Sequence, residues 1–310
     1  MTSLLSRLVR PAKATPYRLF DIQLKATVRL SPSLCRFVFT GEDVRQMTTL
    51  APDQRIKLFF PTPAGQPPDL PRDETWQQAR RDLPAERLPP MRTYTIRALR
   101  PDVLEMDVDF VLHGATGPAS AWASQARPGD RLQVVAPNLA YAGDPGGYEW
   151  KPPKALRTVL LVGDETALPA IAGILEQLAW ARPDLPVQAF IEVPSESDCI
   201  DLTHSAATRL HWLPRDLLRC EHGQGMAHAV RELADLPVTQ QVVPVALEEV
   251  DVDRQILWEQ ASGQRSDYYA WIAGESATVM DIRRYLIKER GLDRQMLTLM
   301  GYWRAGRTLD

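Results

Sequence analysis

The chain has 310 residues, 45% of them apolar and 24% charged, with a net charge of −3 at neutral pH. That length allows one large domain or two ordinary ones, and the composition is that of a globular chain. The acidic balance gives no electrostatic case for nucleic acid as a main partner. Cys35, Cys199 and Cys220 are scattered and odd in number, so neither a disulfide framework nor a metal site is expected.

The first twenty residues, MTSLLSRLVRPAKATPYRLF, mix arginines into an apolar run and lack a secretory core and a small-residue cleavage site. A frayed tail is expected there, with Ser6 to Arg10 as a short amphipathic alternative. No apolar run approaches the roughly 18 residues that a spanning helix needs, so no integral membrane association and a cytoplasmic location are expected.

Six strand-like runs follow: YRLFDIQLKATVRL, LCRFVFTG, RIKLFFP, RTYTIRAL, VLEMDVDFVLH and DRLQVVAP. They alternate or run apolar between Pro, Gly and Asp signals, and their spacing predicts an antiparallel six-stranded barrel over residues 15–145. The proline-rich insert 61–90 reads as a surface loop in which ETWQQARRD can form one or two helical turns. Residues 146–155, rich in Pro and Gly, read as a linker.

From residue 156 to 310 the rhythm changes. RTVLLVG is a continuous apolar run, as a strand buried on both faces requires. Helical spacing then places Leu168, Ile171, Leu175 and Leu178 on one face, with Pro169 in the first turn and Asp164 or Thr166 as cap. VQAFIEV, RLHWL, YYAWIAG and MLTLMGYWR read as further strands, with MAHAVREL and ESATVMDIRRYLIKERG as helices. The alternation predicts a parallel α/β domain, and barrel plus α/β domain leaves a crevice suited to a cofactor.

Two motifs carry chemistry. In MRTYTIR, strand alternation puts Arg92, Tyr94 and Ile96 on one face and Thr93, Thr95 and Arg97 on the other. A tyrosine can stack on a ring system, arginines bind phosphate through forked hydrogen bonds, and Thr95 can reach a ring nitrogen. Those are the needs of a flavin with its pyrophosphate. Arg97 and Arg100 are expected to be surface charges. In DFVLHGATGPASAWASQARPGDRL, Gly114 and Gly117 flank a turn, and small residues open a helix of about ten residues whose backbone N–H groups can approach a phosphate.

Together with LLVGDETALPAIAGIL, YYAWIAGE and the terminal GYWRAG, these runs make the chain resemble the siderophore-interacting proteins, or ferric-siderophore reductases, of the ferredoxin-reductase-like flavoproteins. The resemblance implies an N-terminal FAD-binding barrel, a C-terminal pyridine-nucleotide domain and reduction of chelated Fe(III). Carried over by position, it places Arg92, Tyr94 and Thr95 against the flavin and its phosphates. Asp109, Phe110, Val111 and His113 would line the adenosine and ribityl side, and Gly117, Pro118, Ala119 and Ser120 would cradle the pyrophosphate. Asp164 and Thr166 would approach flavin and nicotinamide from the second domain, with Gly274 and Glu275 at a second nucleotide turn. Lys57, Arg304 and Arg307 match basic substrate-contacting positions, with Arg55 a further candidate.

No G-x-G-x-x-G is present, so the resemblance alone assigns the nucleotide turn. Glu192 and Glu196 stand where an acidic residue often holds ribose hydroxyls, and the choice between NADH and NADPH stays open. The implied chemistry is hydride transfer from NAD(P)H to FAD, then single electrons to the iron of an anionic chelate, in a monomer and with no protein metal ligands. Two alternatives stand beside it: a non-catalytic siderophore-binding protein, and a flavin reductase with another electron acceptor.

Overall fold

The computed structural model describes residues 14–112, 117–238, 255–263 and 266–307. His113 and the segment from Ser6 to Arg10 lie outside them. Among the described residues no helix is long and apolar enough to cross a membrane.

The first half forms one antiparallel sheet of seven strands, not six: β1 (Tyr17–Arg29), β2 (Leu34–Thr40), β3 (Arg55–Phe59), β4 (Met91–Thr95), β5 (Ala98–Arg100), β6 (Glu105–Val111) and β7 (Arg131–Pro137). Their order is β4-β3-β7-β1-β2-β6-β5. The extra strand arises because the expected single run 91–100 divides. Ile96 N–H donates to Gln54 on the β3 side at 2.9 Å, and Arg97 N–H donates to Asp107 on β6 at 2.9 Å. The chain thus hands its hydrogen bonding from one sheet edge to the other, and the sheet curls through a half-barrel. Its interior is aromatic: Phe37, Phe39, Phe60 and Phe110 are buried together with Ile56, Leu58 and Val134.

The proline-rich insert is not a free loop. It carries α1 (Trp76–Arg81), and Leu70 and Trp76 cover the outer barrel face formed by Leu19, Phe59 and Val135. Gln133 fixes it by accepting from Leu70 N–H at 2.8 Å and donating to Leu70 O at 3.1 Å. A six-residue helix, α2 (Pro118–Ala123), plugs the barrel with Trp122, which stacks on Phe39 at 6.2 Å. It is shorter than expected because the chain turns at Arg127–Asp130, where Arg127 N–H donates to the Asp130 carboxylate at 2.8 Å.

The second sheet contains β8 (Thr158–Gly163), β9 (Val187–Val193), β10 (Thr208–Pro214), β11 (Trp258–Glu259), β12 (Tyr268–Glu275) and β13 (Leu297–Trp303), in the order β10-β9-β8-β12-β13-β11. The two-residue β11 pairs antiparallel with β13, so the sheet is mixed where a purely parallel one is expected. The sheet is covered on both faces, which explains its uninterrupted apolar strands. Val159 and Leu161 pack under α3 (Leu168–Ala181), while Leu160 and Val162 face α5 (Gln224–His228) and α6 (Ser276–Arg284). A short α4 (Arg215–Leu218) follows β10. Leu168, Ile171, Leu175 and Leu178 of α3 are all buried, as their spacing predicts. The residue capping α3 is Ala167, not Asp164 or Thr166.

The two sheets are tied by polar side chains over a shared apolar seam. Leu34 of β2 and Val111 of β6 join the core beneath α3. Asp198 accepts from Ser31 Oγ at 2.7 Å and Ser33 N–H at 2.8 Å, and the buried Asp53 accepts from Glu149 and Trp150 N–H at 2.9 and 2.8 Å.

Candidate functional site

On the barrel side, β4 pairs with β3 so that Arg92 lies opposite Leu58, Tyr94 opposite Ile56 and Thr95 opposite Arg55. Tyr94 stacks on Phe110 with centroids 4.2 Å apart and planes 21° from parallel, so one face of its ring belongs to the barrel core. Arg92 donates to Met91 O at 2.6 Å, and Thr95 is buried. Arg97 and Arg100 are not simple surface charges. Arg97 pairs with Glu176 of α3, and Arg100 with Glu105 and Asp107.

Asp109 and Val111 project from the opposite face of β6 to Phe110, toward the second sheet. Asp109 is buried, and its two oxygens accept from Arg36 Nε at 2.7 Å and Nη2 at 2.9 Å. Gly117 begins α2 in extended backbone with Pro118 in the first turn, and no side chain caps this end. Ala119 is buried against the barrel core, while Pro118 and Ser120 are half-buried beside it. A side chain at Gly117 would meet nothing within 4 Å. Among the described residues the early helix N–H groups have no side-chain acceptor from the cap position, an arrangement compatible with an anionic group.

The second sheet reverses its strand order between β8 and β12, and parallel sheets bind ligands outside the carboxyl ends of strands at such a point. Asp164 follows β8 there and is fully buried. One oxygen accepts from Thr166 N–H at 2.9 Å and from Thr166 Oγ1; the other accepts from Glu275 N–H at 3.0 Å and Trp303 Nε1 at 2.8 Å. Gly274 has φ +156°, and a Cβ there would lie 2.7 Å from the Asp164 carboxylate, so glycine is what lets the two turns meet. Glu275 caps α6 by accepting from Ala277 and Thr278 N–H at 2.7 and 2.9 Å, and its other oxygen receives Arg304 at 2.8 Å.

A cluster not singled out in the sequence completes this sheet end. Glu165 accepts a two-pronged pair from Arg215 at 2.9 Å each, and Arg215 also reaches Glu192 at 3.1 Å. Glu192 is fully buried and accepts from Gly223 and Met226 N–H at 2.7 and 3.0 Å. His222 Nε2 stands 3.6 Å from Asp164 and 3.7 Å from Glu165, and its ring meets Trp303 edge-on at 4.9 Å. Burial, and then the charge of Glu165, push the Asp164 carboxyl up to about 6. Burial works to raise Glu165 as well, but His222 and Arg215 outweigh it and hold the carboxyl below its usual range. For His222 burial favours the neutral ring, and Glu165 and Asp164 overcome it and raise the imidazole above 6.5.

Residues 23–141 match the family model described as the siderophore-interacting FAD-binding domain, and residues 156–306 match that of the siderophore-interacting protein. An uncharacterized protein of Mycobacterium tuberculosis is 35% identical over 303 residues, spanning 94% of this chain and 92% of its own. The chain belongs to the siderophore-interacting protein family. Ferric vibriobactin reductase ViuB of Vibrio cholerae is 29% identical over 296 residues, covering 94% of this chain and 90% of that protein. The crystal structure of a siderophore utilization protein from T. fusca superposes with a TM-score of 0.72 at 27% identity, over 95% of this chain and 96% of that one.

In this siderophore-interacting protein the expected residues fall into two groups. Arg92, Tyr94 and Thr95 stand on one barrel edge strand, and Asp164, Thr166, Gly274, Glu275 and Arg304 form one bonded unit at the end of the second sheet. Arg307 bridges back to Arg304, and Lys57 is exposed on the face of β3 that also carries Arg55. Glu192 does not serve as a free ribose acceptor, because its carboxylate is buried and bonded on both oxygens. His222, Glu165 and Arg215 escaped the sequence reading because their partners come from separate turns. The one local sign was Gly223, whose φ of +83° and close approach to Thr278 mark a constrained turn.

Proposed function

We propose that this siderophore-interacting protein is an NAD(P)H-dependent reductase of ferric siderophores, with FAD on residues 15–145, a linker at 146–155 and the dinucleotide on 156–310. The observation that carries the reading is a continuous chain of contacts from the barrel strand to the switch point. Thr95 pairs with Arg55, the Arg55 guanidinium lies 4.2 Å over the Trp258 ring, and Trp258 stacks on Tyr302 at 6.0 Å. Tyr302 precedes Trp303, which donates to Asp164. A cofactor held by the barrel edge would therefore adjoin the crevice at the end of the second sheet.

Bound FAD would supply the step between a two-electron reductant and a one-electron acceptor, chelated Fe(III) being the substrate. The chain's own part is binding and orientation. The uncapped N–H groups of Ala119 and Ser120 suit a pyrophosphate, with Gly117 leaving room, and Arg92, Tyr94 and Thr95 suit the flavin. Asp109 acts from behind, holding Arg36 and the β2–β6 pair in register. Asp164, Thr166, Gly274 and Glu275 shape the turns that receive the nicotinamide end. Lys57, Arg304 and Arg307 supply positive charge toward an anionic chelate.

The test is anaerobic reduction of the FAD-loaded protein by NADH and by NADPH, followed by ferric chelates and an Fe(II) trap. Bleaching of the flavin and trapped Fe(II) are expected. Protein that takes up no flavin would overturn the proposal. A yellow protein that neither nucleotide bleaches would favour a siderophore-binding role.

A further inference from the structure

The Nε2 atom of His222 is buried without a hydrogen-bond partner among the described residues, between two buried carboxylates at the carboxyl end of the second sheet. An orphaned buried nitrogen costs free energy unless its charge is in demand. Each element facing it contributes. The turn after β8 brings Asp164 and Glu165, the end of β9 brings Glu192, and α4 brings Arg215. From α6, Thr278 packs on Gly223, and the end of β13 brings Trp303. Glu275 is neutralised by Arg304.

Around His222 stand three carboxylates, two of which, Glu165 and Glu192, are bonded to Arg215. With all three carboxylates ionised, protonated His222 offsets half of the negative charge that Arg215 leaves; neutral His222 leaves all of it. The two redox forms of a nicotinamide differ in this respect, since the oxidised ring is cationic and the reduced ring neutral.

Resting on the reductase reading, we propose that His222 is a positioning residue for charge, setting how far the crevice prefers reduced over oxidised dinucleotide. With the imidazole protonated, the crevice holds the cationic product ring loosely and admits the neutral reductant. Loss of that proton deepens the negative field and makes the product bind more tightly.

The test measures, from pH 6 to pH 9 (about the range over which a histidine titrates), the dissociation constants of NAD(P)⁺ and of the 1,4,5,6-tetrahydro analogue. The analogue's ring is neutral and cannot donate hydride. FAD-loaded wild type is compared with His222→Gln and His222→Lys. In wild type the ratio should move toward the oxidised form by on the order of threefold to tenfold as pH rises. His222→Gln should lie near the high-pH value and vary less than wild type, with Asp164 alone left to titrate at the acid end, and His222→Lys should stay at the low-pH value. Fluorescence of Trp303, isolated by difference against Trp303→Phe, reports the same titration, because an imidazolium beside an indole quenches it. A ratio that is flat in wild type, or equally pH-dependent in His222→Gln, overturns the proposal and leaves the reductase reading standing. Wild type that binds neither nucleotide overturns both.

Discussion

The turn that opens α2 and the turns at the end of the second sheet both join a strand to a helix, yet they are built in opposite ways. At Gly117 the cap position supplies no side-chain acceptor among the described residues, and small residues open the helix. At Asp164 and Glu275 every carboxylate oxygen is engaged, and the donors are satisfied from within the chain. The first, under the proposed function, is where a phosphate would rest. The second carries its own anions, which under the same reading would meet a ring rather than a phosphate.

Four changes break or sharpen this contrast. Asp164→Ala is expected to act most strongly. It strands Trp303 Nε1, Glu275 N–H and His222 in a buried place, at a cost of about 3–5 kcal/mol in chemical denaturation. Gly117→Asp should split two properties that usually move together. A carboxylate there caps α2 and raises the stability of the flavin-free protein by a few tenths of a kcal/mol, about what a cap gains over glycine. The same charge repels a pyrophosphate, so flavin affinity should fall about tenfold or more. Unchanged flavin affinity in a titration would remove Gly117 from the cofactor site.

Arg97→Ala cuts the tie to Glu176 across the sheets and should cost about 1 kcal/mol, the pair being partly exposed. Asp109 keeps Arg36, so no buried charge is abandoned. The mildest effect is on pH dependence. Asp164 and His222 both have raised values, so above the carboxylate range these two groups bind more protons in the folded state than in the unfolded one. The His222 contribution is complete below pH 6.5 and is lost as pH climbs through its folded value. Denaturation midpoints should therefore decline over that window in wild type and decline less in His222→Gln, where only Asp164 contributes.

Much of this architecture can be read along the chain because it rests on local period. Alternation exposes β1 and β2, the unbroken run Thr158 to Gly163 reveals a strand buried on both faces, and four hydrophobic residues define the inner side of α3. What resists reading depends on closure in space. The division of 91–100 has no turn residue to announce it, because the break is made by bonds to Gln54 and Asp107 rather than by Gly or Pro. The two-residue β11 is a strand only because β13 lies beside it. The same holds at the site. MRTYTIR and GPAS stand out by composition, whereas the partnership of Trp303 with Asp164 spans 139 residues and that of Arg36 with Asp109 spans 73. Side chains that look like ligands can equally be spent inside the protein, as Glu192 is.

The handover at Ile96 and Arg97 bears on the protein's behaviour in crowded solution. Open sheets end in strands whose unpaired backbone recruits other chains. Here the two outermost strands, β4 and β5, are consecutive in sequence and kept together by a single dipeptide. Each stays paired to its own neighbour, β4 to β3 and β5 to β6, so the dipeptide marks where both open edges of the sheet begin.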